Sequence, residues 1–283
     1  MSAVPEPPVA LPPGRVVAVP GHGELFFRDS GPQGDAPTLL LLHGWTVSAD
    51  LNWFGAYQAL QDAGHRVIAL DHRGHGRGLR SSEPFRLSDC AADAAALVRH
   101  LDAGPVVAVG YSMGGPITQL LARDHPDVVS GAVLCATSAH WTSPRQKLLW
   151  RSMSVIRLLL GVAPDALWRR VFGGNGGKVG TWMVAELTRG SAVDLAEAGR
   201  ELSRFDSRTW LAGLRLPAAV VVTTQDDGVP PSHQRALAAL LRAPTFEVAG
   251  DHLVVNTNPD AFNAGLLAAL DALQPLEAAQ AAA

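Results

Sequence analysis

Six apolar runs divide the chain, and each ends at a small or polar residue. Leu39-Leu40-Leu41-Leu42 stops at His43-Gly44, and Arg66-Val67-Ile68-Ala69-Leu70 stops at Asp71. Val106-Val107-Ala108-Val109 stops at Gly110, and Gly131-Ala132-Val133-Leu134-Cys135 stops at Ala136-Thr137. Ala218-Ala219-Val220-Val221-Val222 stops at Thr223-Thr224, and Thr245-Phe246-Glu247-Val248 stops at Ala249-Gly250. All six read as strands apolar on both faces, the mark of a parallel sheet covered by helices on each side. Between them, Ser88–Leu101, Gly114–Arg123 and Ser232–Leu241 carry helical periodicity. Asn258-Pro259 supplies a cap and a first residue for a last helix. Upstream, Val16–Val19 and Glu24–Arg28 flank Pro20-Gly21-His22-Gly23 and predict a hairpin. The alternation predicts an α/β fold with a doubly wound, mostly parallel sheet, whose ligands bind beyond the carboxyl ends of the strands.

One interval breaks this rhythm. From Thr137 to Ala218 there is no strand run for roughly 70–80 residues, far more than a single crossover helix needs. Five of the seven tryptophans fall there: Trp141, Trp150, Trp168, Trp182 and Trp210. The interval therefore reads as a helical cap packed over the strand ends. The expected layout is a flexible Pro-rich arm over 1–14, a core over 15–137 and 212–275, a cap over 138–211, and a flexible tail over 276–283.

Composition narrows the class. With 283 residues, 47% hydrophobic and 17% charged, the chain can bury one large core. A net charge of −3 offers no basic surface for nucleic acid. No apolar run reaches the length of a membrane span. Apolar residues beside arginines at Arg157-Leu158-Leu159-Leu160 and Trp168-Arg169-Arg170 could form an interfacial helix, but a buried cap helix with a solvated edge is the stronger reading. The N-terminus lacks the pattern of a signal peptide, and Cys90 and Cys135 lie in a helix and a buried strand without a CxxC neighbour. These features point to the cytoplasm. Oligomeric state has no signature in the sequence.

The chemistry begins at Gly110-Tyr111-Ser112-Met113-Gly114-Gly115, a G-x-S-x-G between a buried strand and a helix. A serine on such a turn is exposed for attack, and the glycines leave room for the tight backbone. Its hydroxyl needs a base, and a strand, G-x-S-x-G and helix in this order resemble the α/β-hydrolase family, a resemblance that implies the chain order nucleophile, acid, base. Four histidines follow Ser112. His125 ends a helix before Pro126, His140 begins the cap, and His233 lies within a helix. His252 alone occupies the turn after the last strand. The acid belongs after the preceding strand, where Asp226 and Asp227 adjoin. Asp226 is favoured and Asp227 is the alternative, the other aspartate then capping the turn. A tetrahedral intermediate needs two donors, for which the amides of Met113 and Trp45 are the candidates.

With these pieces in place, the chain resembles the α/β-hydrolase fold family from about Arg15 to Leu273, through LLLLHGW, ALDHRGHGRG, VAVGYSMGG, VVVTTQDDGVPP and VAGDHLVV. The resemblance implies a serine esterase or lipase-like member with a helical cap. It makes Asp71, Arg73, Gly74 and Gly76 scaffold, and Val229, three residues after Asp226, supports Asp226 as the acid. The family commonly has Gly three residues before the acid; Thr223 stands there instead. Thr46 replaces the proline that often follows the HGx triplet, and the HGGG of lipases is absent.

The expected activity is hydrolysis of carboxylic esters of small to medium apolar acyl groups through an acyl-enzyme. Trp45, Trp141 and Trp182 are the candidate pocket residues. The charged residues Arg145, Lys147, Arg169, Arg170 and Lys178 fall by helical spacing on the outer face of the cap, away from the substrate. Neither cofactor nor metal is called for: HExxH, a P-loop and a GxGxxG after a strand are all missing from the sequence. The alternatives are a perhydrolase, a thioesterase or a carbon–carbon hydrolase of the same family, or a non-catalytic small-ligand receptor on the same fold.

Overall fold

A computed structural model describes residues 6–141 and 177–273. The apolar runs form one eight-stranded sheet: β1 (Gly14–Val19), β2 (Gly23–Asp29), β3 (Leu39–Leu42), β4 (Val67–Leu70), β5 (Val106–Tyr111), β6 (Val129–Cys135), β7 (Ala218–Thr223) and β8 (Thr245–Val248). The strand order is β1-β2-β4-β3-β5-β6-β7-β8. The β1–β2 hairpin attaches antiparallel to β4, and the strands from β4 to β8 run parallel.

Why these runs become central strands is visible in their burial. Every residue of β3, β4, β5 and β7 is buried. Successive side chains then divide between two cores, as the strand period of two demands. Leu40, Leu42, Ile68, Val106 and Ala108 pack against α3 (Leu87–His100) and α4 (Gly114–Asp124). Leu39, Leu41, Val67, Val107 and Val109 face the other way, toward α1 (Ala49–Trp53), α2 (Tyr57–Asp62) and the last long helix through Trp53, Tyr57, Phe262 and Leu266.

Among the described residues the helices after α4 are α5 (Gly177–Leu187), α6 (Ala192–Leu202), α7 (Pro231–Leu241), α8 (Val254–Thr257) and α9 (Pro259–Asp271). Asn258 caps α9 by accepting the Ala261 N–H. The strand at the far edge, β8, departs from expectation. Thr245 and Glu247 are exposed, and Glu247 pairs at the surface with Arg235 of α7.

The arm also differs. Pro12 is buried and its carbonyl accepts from Arg28, while Pro13 O accepts the Asp29 N–H. Residues 12 and 13 are therefore held beside β2, while residues 6–10 are exposed. Helices α5 and α6 lie between β6 and β7, in the interval where the cap was expected. Trp150, Arg157–Leu160, Trp168, Arg169, Arg170, Arg145 and Lys147 lie outside the described residues, as does the Lys178 side chain. No described helix is long and apolar enough to cross a membrane.

The cap is tied to the core through charge. Glu186, buried in α5, accepts from Arg77 Nη2 at 2.7 Å, Arg189 Nε at 2.8 Å and Ser48 Oγ at 2.8 Å. Ser48 in turn caps α1. Asp71, at the end of β4, accepts the Ala49 N–H at 2.7 Å and the Arg77 N–H at 2.8 Å. The scaffold reading of Asp71 is thus given a physical form: it ties the loop after β3 to the loop after β4.

Candidate active site

Strand β5 ends at Tyr111 and α4 begins at Gly114, which leaves Ser112 and Met113 to turn the chain. Ser112 has φ +52°, in the left-handed region that residues with a Cβ disfavour. Three bonds hold it there. Its N–H donates to Cys135 O at 2.9 Å; its carbonyl accepts the Thr137 hydroxyl at 2.7 Å and the Gly115 N–H at 3.0 Å. The glycines are required by closeness: a Cβ on Gly110 would strike Thr118 Oγ1, and one on Gly114 would strike the Leu42 carbonyl. Helix and sheet therefore meet at a distance only glycine permits.

His252 follows β8, as expected. Its Nε2 lies 2.9 Å from Ser112 Oγ and its Nδ1 lies 2.7 Å from Asp226 Oδ2. A buried carboxylate at Nδ1 can only accept, so Nδ1 carries the proton and Nε2 presents a lone pair to the serine hydroxyl. The Tyr111 hydroxyl donates to the His252 carbonyl at 2.9 Å and anchors the turn.

Between the two aspartates the geometry is unequal. Asp226 is buried and also accepts the Val229 N–H at 2.7 Å, whereas Asp227 is exposed. The turn-capping role expected of the second aspartate is filled by Asp226 itself. His140 and His233 stack on each other, with ring centroids 5.0 Å apart, and His125 sits at the end of α4; none of the three joins this constellation.

The loop after β3 carries Trp45. The Asn52 side-chain carbonyl accepts the Gly44 N–H at 2.9 Å. His43 donates from Nδ1 to Gly44 O at 2.8 Å and accepts the His72 N–H on Nε2 at 3.0 Å. Burial pushes the His43 imidazole down to about 4, so it stays neutral and braces the loop. Thr46 sits at φ +74°, unusual for a β-branched residue. The Trp45 indole donates to Leu195 O at 2.7 Å and lies against Gly199, which joins this loop to cap helix α6. Met113 caps α4, at the positive end of the helix.

A cavity of about 230 Å³ opens beside Ser112 and His252. Its walls are mostly apolar: Trp45, Val47, Trp141, Val229, Leu253 and Val255, with Thr46, Asn52 and Asn256 as polar neighbours. The structure brings Trp45 and Trp141 to this cavity. It places Trp182 elsewhere, buried edge-on against Phe54 with centroids 5.4 Å apart. Trp182 therefore packs the cap onto α1, and the expectation that it lines the pocket is corrected. Sequence reading missed Asn52, Thr137 and Gln234, three buried polar residues that each bond to the backbone of a functional loop. No motif marks them. For Asn52 and Gln234 a polar residue on the core side of a helix is the only signal, and Thr137 is marked only by its place after β6.

A family model of the alpha/beta hydrolase fold matches residues 37–159. The chain has the α/β-hydrolase fold, and over those residues it is similar to that family. It is 40% identical over 111 residues to a non-heme chloroperoxidase from Streptomyces lividans, covering 39% of this chain and 40% of that one. A bifunctional esterase/perhydrolase from Acinetobacter calcoaceticus is 38% identical over 112 residues, with 39% and 40% covered. The chain thus matches about two fifths of the length of these curated relatives. The solved structure of an enol-lactonase from Burkholderia xenovorans LB400 superposes with a TM-score of 0.76 at 25% identity, over 91% of this chain and all of that one.

Proposed function

We propose that this hydrolase-fold chain is a serine hydrolase that cleaves carboxylic esters of small to medium apolar acids through an acyl-enzyme. The observation that carries this reading is the continuous chain of bonds from Ser112 Oγ through His252 to Asp226, beside an apolar cavity. Ser112 Oγ attacks the ester carbonyl carbon while His252 Nε2 takes its proton. Asp226 holds the Nδ1 proton in place and stabilises the imidazolium. Negative charge builds on the carbonyl oxygen, where the amides of Met113 and Trp45 are the candidate donors. His252 then protonates the leaving alkoxide, and the acyl group stays on Ser112. A water molecule, deprotonated by His252, attacks the acyl-enzyme and releases the acid.

A fluorophosphonate probe tests the proposal directly. It should label the wild-type chain at Ser112, and p-nitrophenyl esters should be hydrolysed. A chain that neither labels nor hydrolyses any ester is a small-ligand receptor on this fold, and the enzyme reading is then wrong. The Acinetobacter relative's name supports a second outcome for the same intermediate. Hydrogen peroxide in place of water would yield a peracid, which a halide-oxidation assay with added peroxide and acetate would reveal. Thioesters and carbon–carbon substrates belong in the same panel.

A further inference from the structure

Thr223 closes β7, three residues before Asp226, and is fully buried. Its hydroxyl lies 2.8 Å from Asp226 Oδ2, the oxygen that also faces His252 Nδ1. On its other side stands Gln234 of α7, equally buried, with Nε2 at 2.8 Å from Thr223 Oγ1. The orientation of the Gln234 amide is set by two backbone groups. Its Oε1 accepts the Thr223 N–H at 3.0 Å, and its Nε2 donates to the Val229 carbonyl at 2.8 Å. Reversing the amide would set donor against donor at Thr223 and acceptor against acceptor at Val229.

Proton placement follows from this. Gln234 spends its second Nε2 proton on Thr223 Oγ1, so the hydroxyl is already an acceptor there. Its own proton points the other way, onto Asp226 Oδ2. That oxygen then receives two close donors, Thr223 O–H and His252 Nδ1–H, while Oδ1 receives the Val229 N–H. Each donor draws on the same lone pairs, so each weakens the other's hold.

We infer that Thr223, with its hydroxyl aimed by Gln234, is a positioning residue that sets how strongly Asp226 pulls on His252. It does two things. It fixes the Asp226 carboxylate so that Oδ2 faces the imidazole, and it moderates the basicity of His252 by competing for Oδ2. Glycine at this position could supply neither effect. The inference rests on the hydrolase reading for its link to turnover, but the bonding argument stands on the structure alone.

The test compares Thr223→Val, which keeps the shape and removes the donor, with Thr223→Ser, which keeps the donor. The first readout is an NMR titration of the His252 ring in the folded protein, which requires no turnover. Thr223→Val should move the His252 midpoint up by about half a pH unit, equivalent to about threefold in proton affinity. Thr223→Ser should leave it at the wild-type value. The second readout is the pH profile of kcat/KM for a p-nitrophenyl ester. Its acid limb should rise by the same amount in Thr223→Val, with kcat lowered by about tenfold and KM little changed. An unchanged midpoint in Thr223→Val, or an equal shift in Thr223→Ser, overturns the inference. If Thr223→Val does not fold, Thr223→Ala offers the same comparison with less apolar bulk beside Gln234. If the wild type neither labels with fluorophosphonate nor turns over, the proposed function fails, and the NMR titration still decides the role of Thr223.

Discussion

Ser112 Oγ and His252 Nε2 stand 2.9 Å apart, although 140 residues separate them in the chain. The parallel sheet makes the meeting possible, since β5 and β8 both end at the same edge and each hands its turn to the site. The first prediction follows. Ser112→Ala removes the hydroxyl and nothing that holds the turn, because the three bonds at Ser112 use its backbone. Turnover should fall by about 10⁶, with the unfolding midpoint unchanged. A purified variant that keeps a tenth of the wild-type esterase rate would rule out Ser112 as the nucleophile.

Asp226→Asn keeps the loop but exchanges the carboxylate for an amide that can hold the wrong histidine tautomer. A loss of about 10³–10⁴ in kcat is expected. Asp227 is exposed and the carboxylate at His252 Nδ1 is that of Asp226, so Asp227→Asn should stay within about twofold. Steady-state kinetics on both variants decides the matter, and the opposite ranking would transfer the acid role to Asp227.

Those residues were legible in the sequence because each falls where a buried apolar run ends. A continuous run such as Leu39–Leu42 or Val106–Val109 fits only a strand covered on both faces, and it fixes which turn carries function. Gln234 was not legible. It lies in a helix among Ser232, His233 and Arg235, and only the fold turns it inward. Asn52 was hidden in the same way, one turn into α1. Trp182 was misjudged because aromatic content says that a residue will be buried, not against what; Phe54 was the partner. At β8 the run was too short and too mixed to tell an edge from an interior.

Glu186 gives a prediction about the cap. It is buried and binds Arg77, Arg189 and Ser48 at once. Removing it by Glu186→Ala leaves Arg77 without its cap partner and Ser48 Oγ without an acceptor. A loss of about 3 kcal/mol in a urea unfolding experiment is expected. The exposed pair Arg200–Glu197 is the control, and Arg200→Ala should cost less than about 1 kcal/mol. Equal losses in the two variants would mean that the buried cluster does not anchor the cap.

Acid stability follows from three buried groups. Burial pushes His43 from 6.5 down to about 4 and His72 well below its ordinary value, while it pushes Asp71 from 3.8 up to about 6. Between pH 6.5 and about 4 the unfolded chain binds protons on these histidines that the folded chain refuses, so their contribution is lost as pH falls. Asp71 acts in the opposite sense. From about pH 6 down to 3.8 the folded chain takes the proton first, and stability is gained. His43 and Asp71 are each worth about 3 kcal/mol at full extent and nearly cancel, so His72 tips the balance toward acid destabilisation. The urea midpoint should therefore fall between pH 7 and pH 5. Asp71→Asn removes the counterweight, and the fall should become steeper. A shallower fall in that variant would contradict the assignment.

The last prediction concerns what the cavity accepts. Its volume is about 230 Å³ and its walls are largely apolar, with Trp45 and Trp141 supplying broad, rigid surface. No Lys or Arg stands among the described lining residues, so nothing there is built to pair with a charged acyl group. Each methylene that enters should add up to about 0.8 kcal/mol, or roughly fourfold in kcat/KM, until the chain meets the wall. Activity on p-nitrophenyl esters should therefore climb from acetyl to about butyryl or hexanoyl and then fall. Trp141→Ala enlarges the cavity and should shift the optimum toward longer chains. Trp182→Ala, which only loosens the packing against Phe54, should lower stability and leave the optimum where it was. A profile that is flat from acetyl to octanoyl, or highest for succinyl, would show that these walls do not select the acyl group. A shift of the optimum in Trp182→Ala rather than Trp141→Ala would show that the cap helix, and not the cavity wall, measures chain length.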